Sequence, residues 1–437
     1  MTPTRRTARR AAALVAVAAL SLSACGSDDG DDNDNESSAP DPGTSETSDT
    51  TGDAPAKTGD GTLKIGALLP TTGDLAYLGP PEIAGVQLAI DDINAAGGVN
   101  GKMLDEKVLL EDSGDGTPDI AGQSVDALFG EDVDVIVGAA ASGVSLSVID
   151  KITSAGVLQI SPANTAPAFD TYDDKGLYFR TAPSDRLQGQ VIGDLAVKDG
   201  FSNVAVMARQ DAYGEGLAEQ VETTLKEKGA SVPANILYAA DAENFTAEIN
   251  QLAAAKPDAI VLITFEEITK IVPALTAKGL GPDKVQYYFV DGNMADYSDQ
   301  QFDLTGVKGT FPAPAEVDPE FNKRLDGANG GKLEDYTYGP QSYDATVLVA
   351  LAAIAAGDDS GESIASQMQA VSRDGTKCTA FKECADLLAD GEDIDYDGVS
   401  GPVDLNDNGS PNAATIGIQE YTGNKYKQID SVGGVLE

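Results

Sequence analysis

Apolar runs of strand length alternate with amphipathic helical segments along most of the chain, and this alternation occurs twice. The first series begins with LKIGALLP at residues 63–70, and the second begins with NVAVMA at residues 203–208. Buried strands that are each followed by a helix are typical of parallel sheets with right-handed crossovers. The pattern therefore predicts an α/β protein with two doubly wound parallel-sheet lobes.

Each series supplies four strand candidates. They are residues 63–70, 107–112, 133–138 and 156–161 in the first series, and residues 203–208, 234–239, 258–264 and 286–292 in the second. Apolar spacing predicts helices that begin at Pro80, near Val125, and at residues 143, 213, 244 and 266. The apolar segment 343–357 is too short to cross a membrane and is predicted to be a core helix. Strand candidates near 413–421 and 425–431 end the chain.

The residues directly after the strands are the candidates for ligand binding, because ligands of doubly wound sheets lie beyond the carboxyl ends of the strands. Two of these edges carry hydroxyl groups, Ser142 and Thr165, near predicted helix N-termini, which suits a carboxylate. Another edge carries Asp291, which suits an ammonium group. Together they predict a pocket for a zwitterion. The alternative is that Ser142 and Thr165 cap helices and that Asp291 caps a helix or pairs with a lysine.

Composition narrows the classes of function. A chain of 437 residues suggests two or three domains, and a net charge of −42 opposes binding to nucleic acids and anionic lipid headgroups. The chain has no histidine, which removes Ser-His-Asp and Cys-His triads and His-ligated zinc. It also has no Walker loop, no GxSxG and no GxGxxG after a strand. We therefore expect a protein that is not an enzyme and uses no cofactor or metal; a hydrolase built on Asp/Glu pairs is the remaining enzymatic alternative.

The N-terminus has the features of a secretory signal. Four arginines precede the apolar run 11–22, which is too short for a stable transmembrane helix. The run ends in LSACG, which resembles the bacterial lipobox, whose cysteine becomes the lipid-modified first residue of the mature protein. We expect residues 1–24 to be a lipoprotein signal peptide and Cys25 to carry the lipid. An ordinary signal peptide is the alternative.

Residues 25–61 are rich in Asp, Glu, Ser and Thr and have almost no large apolar side chain. Such a segment cannot bury enough surface to offset the entropy of ordering, so we predict a disordered acidic tether. Cation binding by its charge is the alternative. Beyond the tether, Cys378 and Cys384 are separated by five residues in a compartment that permits disulfides. We predict a disulfide, with catalytic or metal-binding thiols as the alternative.

Several segments together resemble the branched-chain amino-acid binding proteins of ABC transporters. After the lipobox come, in the order of that family, LKIGALLPTTGDLAYLGPPEIAGVQLAIDDINAAGGVNG, VGAAASG, ISPANTAP, YGEGLAE and YYFVDGN. The resemblance covers residues 62–437. It implies the type I periplasmic-binding-protein fold, in which a hinge of three crossovers joins two lobes and the ligand lies in the cleft. It also implies capture of a solute outside the membrane and delivery to a permease.

The resemblance assigns chain segments to the two lobes. Residues 62–182 with 313–399 are expected to form lobe 1. Residues 183–312 with 400–437 are expected to form lobe 2.

The resemblance also assigns roles to the ends of an amino acid. Ser142, with the backbone and hydroxyl of Thr165, is expected to hold the α-carboxylate, and the Ala163 carbonyl is expected to accept from the α-ammonium group. Asp291 stands where the family has an acidic residue that pairs with this ammonium, often a glutamate. Because aspartate is shorter, the ligand is expected to lie deeper or to meet Asp291 through a water molecule.

Four further residues are expected to contact the ligand. Tyr213 would cover it from across the cleft, and Tyr77 or Leu78 would line the side-chain pocket. Phe265 falls near a family tyrosine position. The alternative for Tyr213 is an aromatic side chain at the edge of the core. Where some relatives carry a cysteine before the serine, this chain has Ala141.

An acidic stretch near the C-terminus has the spacing of a calcium loop. Asp393, Asp395, Asp397, Gly398 and Asp404 match EF-hand offsets, with aspartate in place of the final glutamate. The same stretch resembles a strand-turn-strand unit near the C-terminal end of proteins of this family. We expect an acidic turn, and structural calcium is the alternative.

Taken together, these features predict a lipid-anchored, extracytoplasmic solute-binding protein. It would close around a small amino acid by a hinge motion, with leucine, isoleucine and valine as the first candidates, and deliver it to an ABC permease. One alternative is a sensor of the same fold. Another is a binder of amides, urea or small carboxylates.

Overall fold

A computed structural model describes residues 59–116, 119–313 and 318–436. The predicted signal peptide, the predicted lipidation site Cys25 and most of the predicted tether lie outside the described residues. Within the described ranges, no helix is both long enough and apolar enough to cross a membrane.

Strands and helices alternate along the described chain. The strands are Ile65–Leu69 (β1), Leu109–Asp112 (β2), Val135–Gly138 (β3), Leu158–Ser161 (β4), Tyr178–Arg180 (β5), Val204–Gln210 (β6), Asn235–Ala239 (β7), Ala259–Ile263 (β8), Gln286–Phe289 (β9), Lys308–Pro312 (β10), Thr376–Cys378 (β11), Ile394–Gly398 (β12), Gly401–Pro402 (β13), Ala413–Thr422 (β14) and Lys425–Val435 (β15). The helices are Gly79–Ala95 (α1), Ala121–Gly130 (α2), Ser142–Ser154 (α3), Asp185–Lys198 (α4), Ala212–Glu227 (α5), Thr246–Ala255 (α6), Ile268–Ala277 (α7), Pro319–Ala328 (α8), Gly339–Ala356 (α9), Gly361–Ala365 (α10) and Phe381–Ala389 (α11). Every predicted strand and helix is present, with bounds that differ by a few residues.

The first sheet has five parallel strands in the order β2-β1-β3-β4-β5. Its strand order reverses at β1, which pairs with β2 on one side and with β3 on the other. A crevice forms at such a reversal, beyond the carboxyl ends of the strands. The loops after β1 and β3 therefore border the natural ligand position of this sheet.

Helix α1 shows how the local sequence places these loops. Pro80 and Pro81 occupy its first turn, where a missing N–H costs little. Its apolar side, including Val86 and Ile90, is buried against the sheet and against α9. The approach of α1 to α9 is so close that a Cβ atom on Gly85 would lie 2.3 Å from the Gly339 carbonyl oxygen.

The second sheet has seven strands in the order β15-β14-β10-β9-β8-β6-β7. Strands β6 to β10 are parallel, as predicted. Strands β14 and β15, for which the sequence predicted no direction, are antiparallel to their neighbours. The tight turn between Thr422 and Lys425, where Gly423 has φ 62°, makes β14 and β15 antiparallel to each other, since strands joined by so short a turn can pair only in opposite directions.

A third, small sheet has the strand order β11-β12-β13. A disulfide between Cys378 at the end of β11 and Cys384 in α11 joins the two elements, with 5.4 Å between the Cα atoms. Both cysteines are buried in the core that also contains α9. The bridge fixes a short segment against the main body.

Replacing both cysteines by alanine should lower the free energy of unfolding by roughly 2 kcal/mol, because the short closed loop no longer restricts the unfolded chain. Urea denaturation of the wild type and of the double variant Cys378→Ala/Cys384→Ala measures the difference. A reductant should lower the stability of the wild type and leave the double variant unchanged. Equal midpoints for the two proteins in oxidising buffer would contradict this expectation.

The acidic stretch near residue 400 forms β12, a turn and β13. Carboxylate oxygens of Asp395, Asp397 and Asp404 lie within 4.8 Å of one another. The Lys377 ammonium group lies 3.0 Å from Asp395 and 2.8 Å from Asp397, and these carboxylates raise the pKa of Lys377. A lysine of this chain thus provides the positive charge that a metal ion would bring.

Calcium titration of the wild-type protein should give no binding heat, because the Lys377 ammonium group already pairs with two of the three carboxylates. The variant Lys377→Met removes the ammonium group, leaves three neighbouring carboxylates and should acquire weak calcium affinity. Isothermal titration of both proteins at low ionic strength measures this. Calcium binding by the wild type would show that the lysine is displaced and that the alternative of structural calcium holds.

Candidate ligand-binding site

Segments of the two large sheets meet at a buried cavity beyond their strand ends. Six of the eight predicted binding residues line this cavity, namely Leu78, Ser142, Ala163, Tyr213, Phe265 and Asp291. The other lining residues are Leu75, Ala140, Ala141, Gly292 and Tyr338. The cavity volume is only ≈ 20 Å³, so the walls of the crevice are almost in contact.

Asp291 forms one end of the cavity. It follows β9 in a short 3-10 turn and is 4% exposed. Its Oδ1 atom accepts hydrogen bonds from the Tyr213 hydroxyl at 2.6 Å and from Gln188 Nε2 at 2.9 Å. Its Oδ2 atom accepts one from the Tyr338 hydroxyl at 2.7 Å. Burial raises the pKa of Asp291, whereas these three hydrogen bonds favour the ionised carboxylate.

All three side-chain donors to Asp291 are neutral. Burial, together with the charge of Asp291, raises the pKa values of Tyr213 and Tyr338 well above the ordinary range, so both phenols keep their protons. Within the described residues, no lysine or arginine forms an ion pair with Asp291. The carboxylate is therefore solvated by protein dipoles but not neutralised.

One cation, Arg209, lies behind the aromatic wall formed by Tyr213 and Phe265. Tyr213 and Phe265 stack with 5.5 Å between ring centroids, and the Arg209 guanidinium lies 3.6 Å from the centroid of the Phe265 ring. Arg209 forms ion pairs with Asp211 at 2.5 Å and with Glu267 at 2.8 Å. The positive charge of Arg209 is thus paired with two carboxylates behind the Phe265 ring.

The opposite end of the cavity is the beginning of α3. The residue before this helix is Ala141, whose side chain cannot cap it, and no side-chain cap is present. Uncapped backbone amides and the helix dipole make such an end attractive to an anion. The neighbouring loop is held in place by Asn164, whose amide donates to the carbonyls of Ala139 at 3.0 Å and Ala140 at 2.8 Å.

Two predicted binding residues do not line the cavity. The Tyr77 hydroxyl donates to the Gly292 carbonyl at 3.1 Å, so it joins the loop after β1 to the turn after β9. The Thr165 hydroxyl is buried without a hydrogen-bond partner, and the Thr165 carbonyl accepts from the Asp185 backbone N–H at 2.7 Å. Both residues therefore lie next to the site but outside the cavity.

Sequence reasoning missed several residues around this site, among them Leu75, Asp185, Gln188 and Tyr338. Asp185 is fully buried, and neither of its carboxylate oxygens has a hydrogen-bond partner. Burial, followed by the neighbouring charge of Asp291, raises the pKa of Asp185 well above the ordinary value. A signal for Asp185 and Gln188 was present in the dipeptide Ser184-Asp185, because a serine followed by an acidic residue is a typical helix start.

A larger cavity of ≈ 370 Å³ lies on another side of Tyr338. Its walls include the loop before α9 and parts of strands β14 and β15, and apart from Tyr338 it shares no residue with the crevice. Its polar groups bond to one another, as Lys425 does to Asp296 at 2.7 Å and Tyr426 to Asp335 at 2.9 Å. It therefore lacks the opposed charged ends of the crevice.

Comparison with known proteins identifies the class to which the chain belongs. The sequence profile of the family described as periplasmic binding protein matches residues 62–412, so the chain is a member of that family. The predicted family and the type I periplasmic-binding-protein fold are thereby confirmed.

Two characterised relatives illustrate the family. The leucine-, isoleucine-, valine-, threonine- and alanine-binding protein of Pseudomonas aeruginosa is 30% identical over 71% of this chain and 82% of its own length. A chemotactic signal transduction system substrate-binding protein of Halobacterium salinarum is 24% identical over 85% of this chain and 88% of its own length.

Two solved structures share the fold. A leucine-binding protein of Thermotoga maritima has a TM-score of 0.70 and 20% identity, over 85% of this chain and 99% of its own. A solute-binding protein of an ABC transporter from R. palustris, in complex with benzoate, has a TM-score of 0.69 and 18% identity, over 86% of this chain and 97% of its own. One fold thus accommodates ligands with and without an ammonium group.

The variant Tyr338→Phe should lower the free energy of unfolding at neutral pH by about 1–3 kcal/mol, because it leaves a buried carboxylate oxygen of Asp291 without its donor. Urea denaturation measures the loss. Tyr336→Phe is the matched control, since the Tyr336 hydroxyl donates at 2.9 Å to Asp326 in a partly buried position. The control should lose less, and equal losses would contradict the importance assigned to the Asp291 hydrogen bonds.

Proposed function

We propose that this protein is an extracytoplasmic receptor of an ABC importer and binds an α-amino acid with an apolar side chain, a branched-chain one first. The observation that carries the proposal is Asp291, a buried carboxylate with three neutral donors and no cation among the described residues. It shares its cavity with the uncapped N-terminus of α3. One site thus presents an anionic end and an end that attracts anions.

A zwitterion satisfies both ends at once. An ammonium group beside Asp291 would offset the cost of burying an unpaired carboxylate, which is several kcal/mol. The ligand carboxylate would then lie at the first turn of α3, where Ser142 lines the cavity and the helix amides are uncapped. In this proposal the carbonyl of Ala163 accepts from the ammonium group, and Thr165 supports the carboxylate end through its loop.

The remaining walls suit an aliphatic side chain. Leu75, Leu78, Ala140 and Ala163 are apolar and buried, and the stacked rings of Tyr213 and Phe265 close one side. Burial of an aliphatic ligand side chain against these walls removes apolar surface from water, which favours binding by about 25 cal/mol per Å² of surface. The ligands named for the Pseudomonas relative have side chains of this kind.

We propose that residues 62–182 with 313–399 form lobe 1, and that residues 183–312 with 400–437 form lobe 2. The hydrogen bonds from Tyr77 to Gly292 and from Tyr338 to Asp291 would then cross between the lobes and favour closure. A ligand shifts the balance between open and closed forms only by its difference in affinity for them. The contacts to Asp291 and to α3 provide such a difference if only the closed form makes both.

Membrane attachment is part of the same proposal. Cys25 follows an apolar run that resembles a lipoprotein signal, and residues 25–61 carry the composition of a solvated tether. A lipid on Cys25 would hold the receptor at the outer face of the cell membrane, within reach of a permease.

A sensing role is the second candidate. The Halobacterium relative, which belongs by its name to a chemotactic signal transduction system, matches the chain over 85% of its length. Two measurements on cells with and without the gene separate the two candidates, namely uptake of labelled leucine and chemotaxis. Loss of uptake indicates a transporter component, and loss of chemotaxis alone indicates a sensor.

Leucine, isoleucine or valine at 100 times its dissociation constant should stabilise the protein by about 2.7 kcal/mol. Benzoate should give no stabilisation, because it brings a carboxylate but no ammonium group to Asp291. A thermal-shift series on the protein without residues 1–58 measures both responses.

The variant Asp291→Asn should lose the amino-acid response, while Asp194→Asn on the outer side of α4 should keep it. Stabilisation of the wild type by benzoate but not by any amino acid would overturn the proposed ligand class. An unchanged response in Asp291→Asn would remove the ammonium site from Asp291.

A further inference from the structure

Two buried carboxyl groups, rather than one, lie at the Asp291 end of the crevice, and hydrogen-bond donors are distributed unequally between them. Asp291 accepts three hydrogen bonds from side chains, whereas both carboxylate oxygens of Asp185 are buried without a partner. We propose that capture of an ammonium-bearing ligand releases a proton from Asp185. The proposal rests on the proposed function, because it requires a positively charged group at Asp291.

Helix α4 connects the two carboxyl groups. Asp185 begins this helix, and Gln188 follows three residues later on the same face. Gln188 Nε2 donates to Asp291 Oδ1 at 2.9 Å and to the Thr310 carbonyl at 3.3 Å. The Thr165 hydroxyl lies close enough to Asp185 to favour its charged form slightly, but makes no well-formed hydrogen bond with it. Asp185 therefore lies near Asp291 but has no comparable hydrogen bonds to stabilise a charge on its carboxyl group.

Few charges face Asp185 from the surrounding elements. Asp291 is the anion on the second-sheet side, and Asp170, in a separate 3-10 turn at Pro167–Thr171, is the anion on the other side. Arg180, at the end of β5, is the facing cation and is committed to Asp170, to Ser410 and to the carbonyls of Asn164 and Ala166. The facing phenols of Tyr213 and Tyr338 stay neutral.

The distribution of donors decides which carboxyl group holds the proton. Two like charges buried close together cannot both be ionised without a large cost, so one group keeps its proton. Three donors stabilise the charge on Asp291 and none does so comparably on Asp185. The ligand-free site therefore has an ionised Asp291 and a neutral Asp185.

An arriving ammonium group changes this balance. Its positive charge beside Asp291 reduces the repulsion that Asp185 would meet on ionisation. The O–H bond of Asp185 then breaks, the proton passes to solvent and the ligand keeps all three of its ammonium protons. Because the free protein holds one proton more than the complex, affinity rises with pH over the range in which free Asp185 is protonated. The limit is about tenfold per pH unit for one proton.

The experiment is isothermal titration with leucine in two buffers of different ionisation enthalpy, on the wild type, on Asp185→Asn and on Asp194→Asn. The wild type should release up to about one proton per leucine, and its dissociation constant should fall as pH rises from about 5 to about 8. Asp185→Asn should release almost none and lose this pH dependence. Asp194→Asn is the same substitution on a partly exposed part of the same helix, and should behave like the wild type.

Equal proton release by the wild type and Asp185→Asn, or none by the wild type at any pH in this range, would overturn the proposal. Thermal unfolding without ligand provides a separate measurement. Since folding raises the pKa of Asp185, the wild type should lose stability as pH rises from about 4, and Asp185→Asn should lose less. Parallel pH profiles for the two proteins would also overturn it. Failure of leucine and every other amino acid to bind would instead overturn the proposed function, while the unfolding profiles still show whether Asp185 holds a proton.

Discussion

A buried carboxylate, Asp291, governs the crevice of this protein, and no side-chain cation of the described residues pairs with it. Removing the charge of Asp291 from water costs several kcal/mol, and dipoles of neutral groups recover only part of that cost. The three donors come from α4, α5 and the loop before α9, so distant parts of the chain must converge on one carboxyl group. The charge of Asp291 that these dipoles leave unpaired is the basis of the ligand class proposed above.

Neighbouring cations could have neutralised this site, and the packing prevents it. Arg209 is held behind Phe265 by Asp211 and Glu267, and Arg180 is held by Asp170. Each arginine supports a loop that borders the crevice without bringing its charge into the cavity. This arrangement separates structural ion pairs from the unpaired carboxylate.

The alternation of strands and helices could be predicted from local patterns, and so could Ser142 and Asp291, which follow apolar strands. The other four predicted residues that line the cavity, Leu78, Ala163, Tyr213 and Phe265, were predicted through the family resemblance. Asp185 and Gln188 could not be placed, because α4 was not predicted. Its glycines obscure the helical pattern and are required by packing, since a Cβ atom on Gly193 would lie 2.8 Å from Thr224 Cβ. Tyr338 was missed because its left-handed backbone, with φ 62°, and its contact with Asp291 depend on the tertiary structure.

The antiparallel pair β14 and β15 has a consequence for the order of assembly. Strand β10 bonds to β9 on one side and to β14 on the other, and about one hundred residues separate β10 from β14 along the chain. Until β14 has been synthesised, one edge of β10 presents an open row of amides and carbonyls, which is a site for mispairing. The hairpin of β14 and β15 therefore acts as a closing element, because it covers this edge only after the long intervening segment has been made.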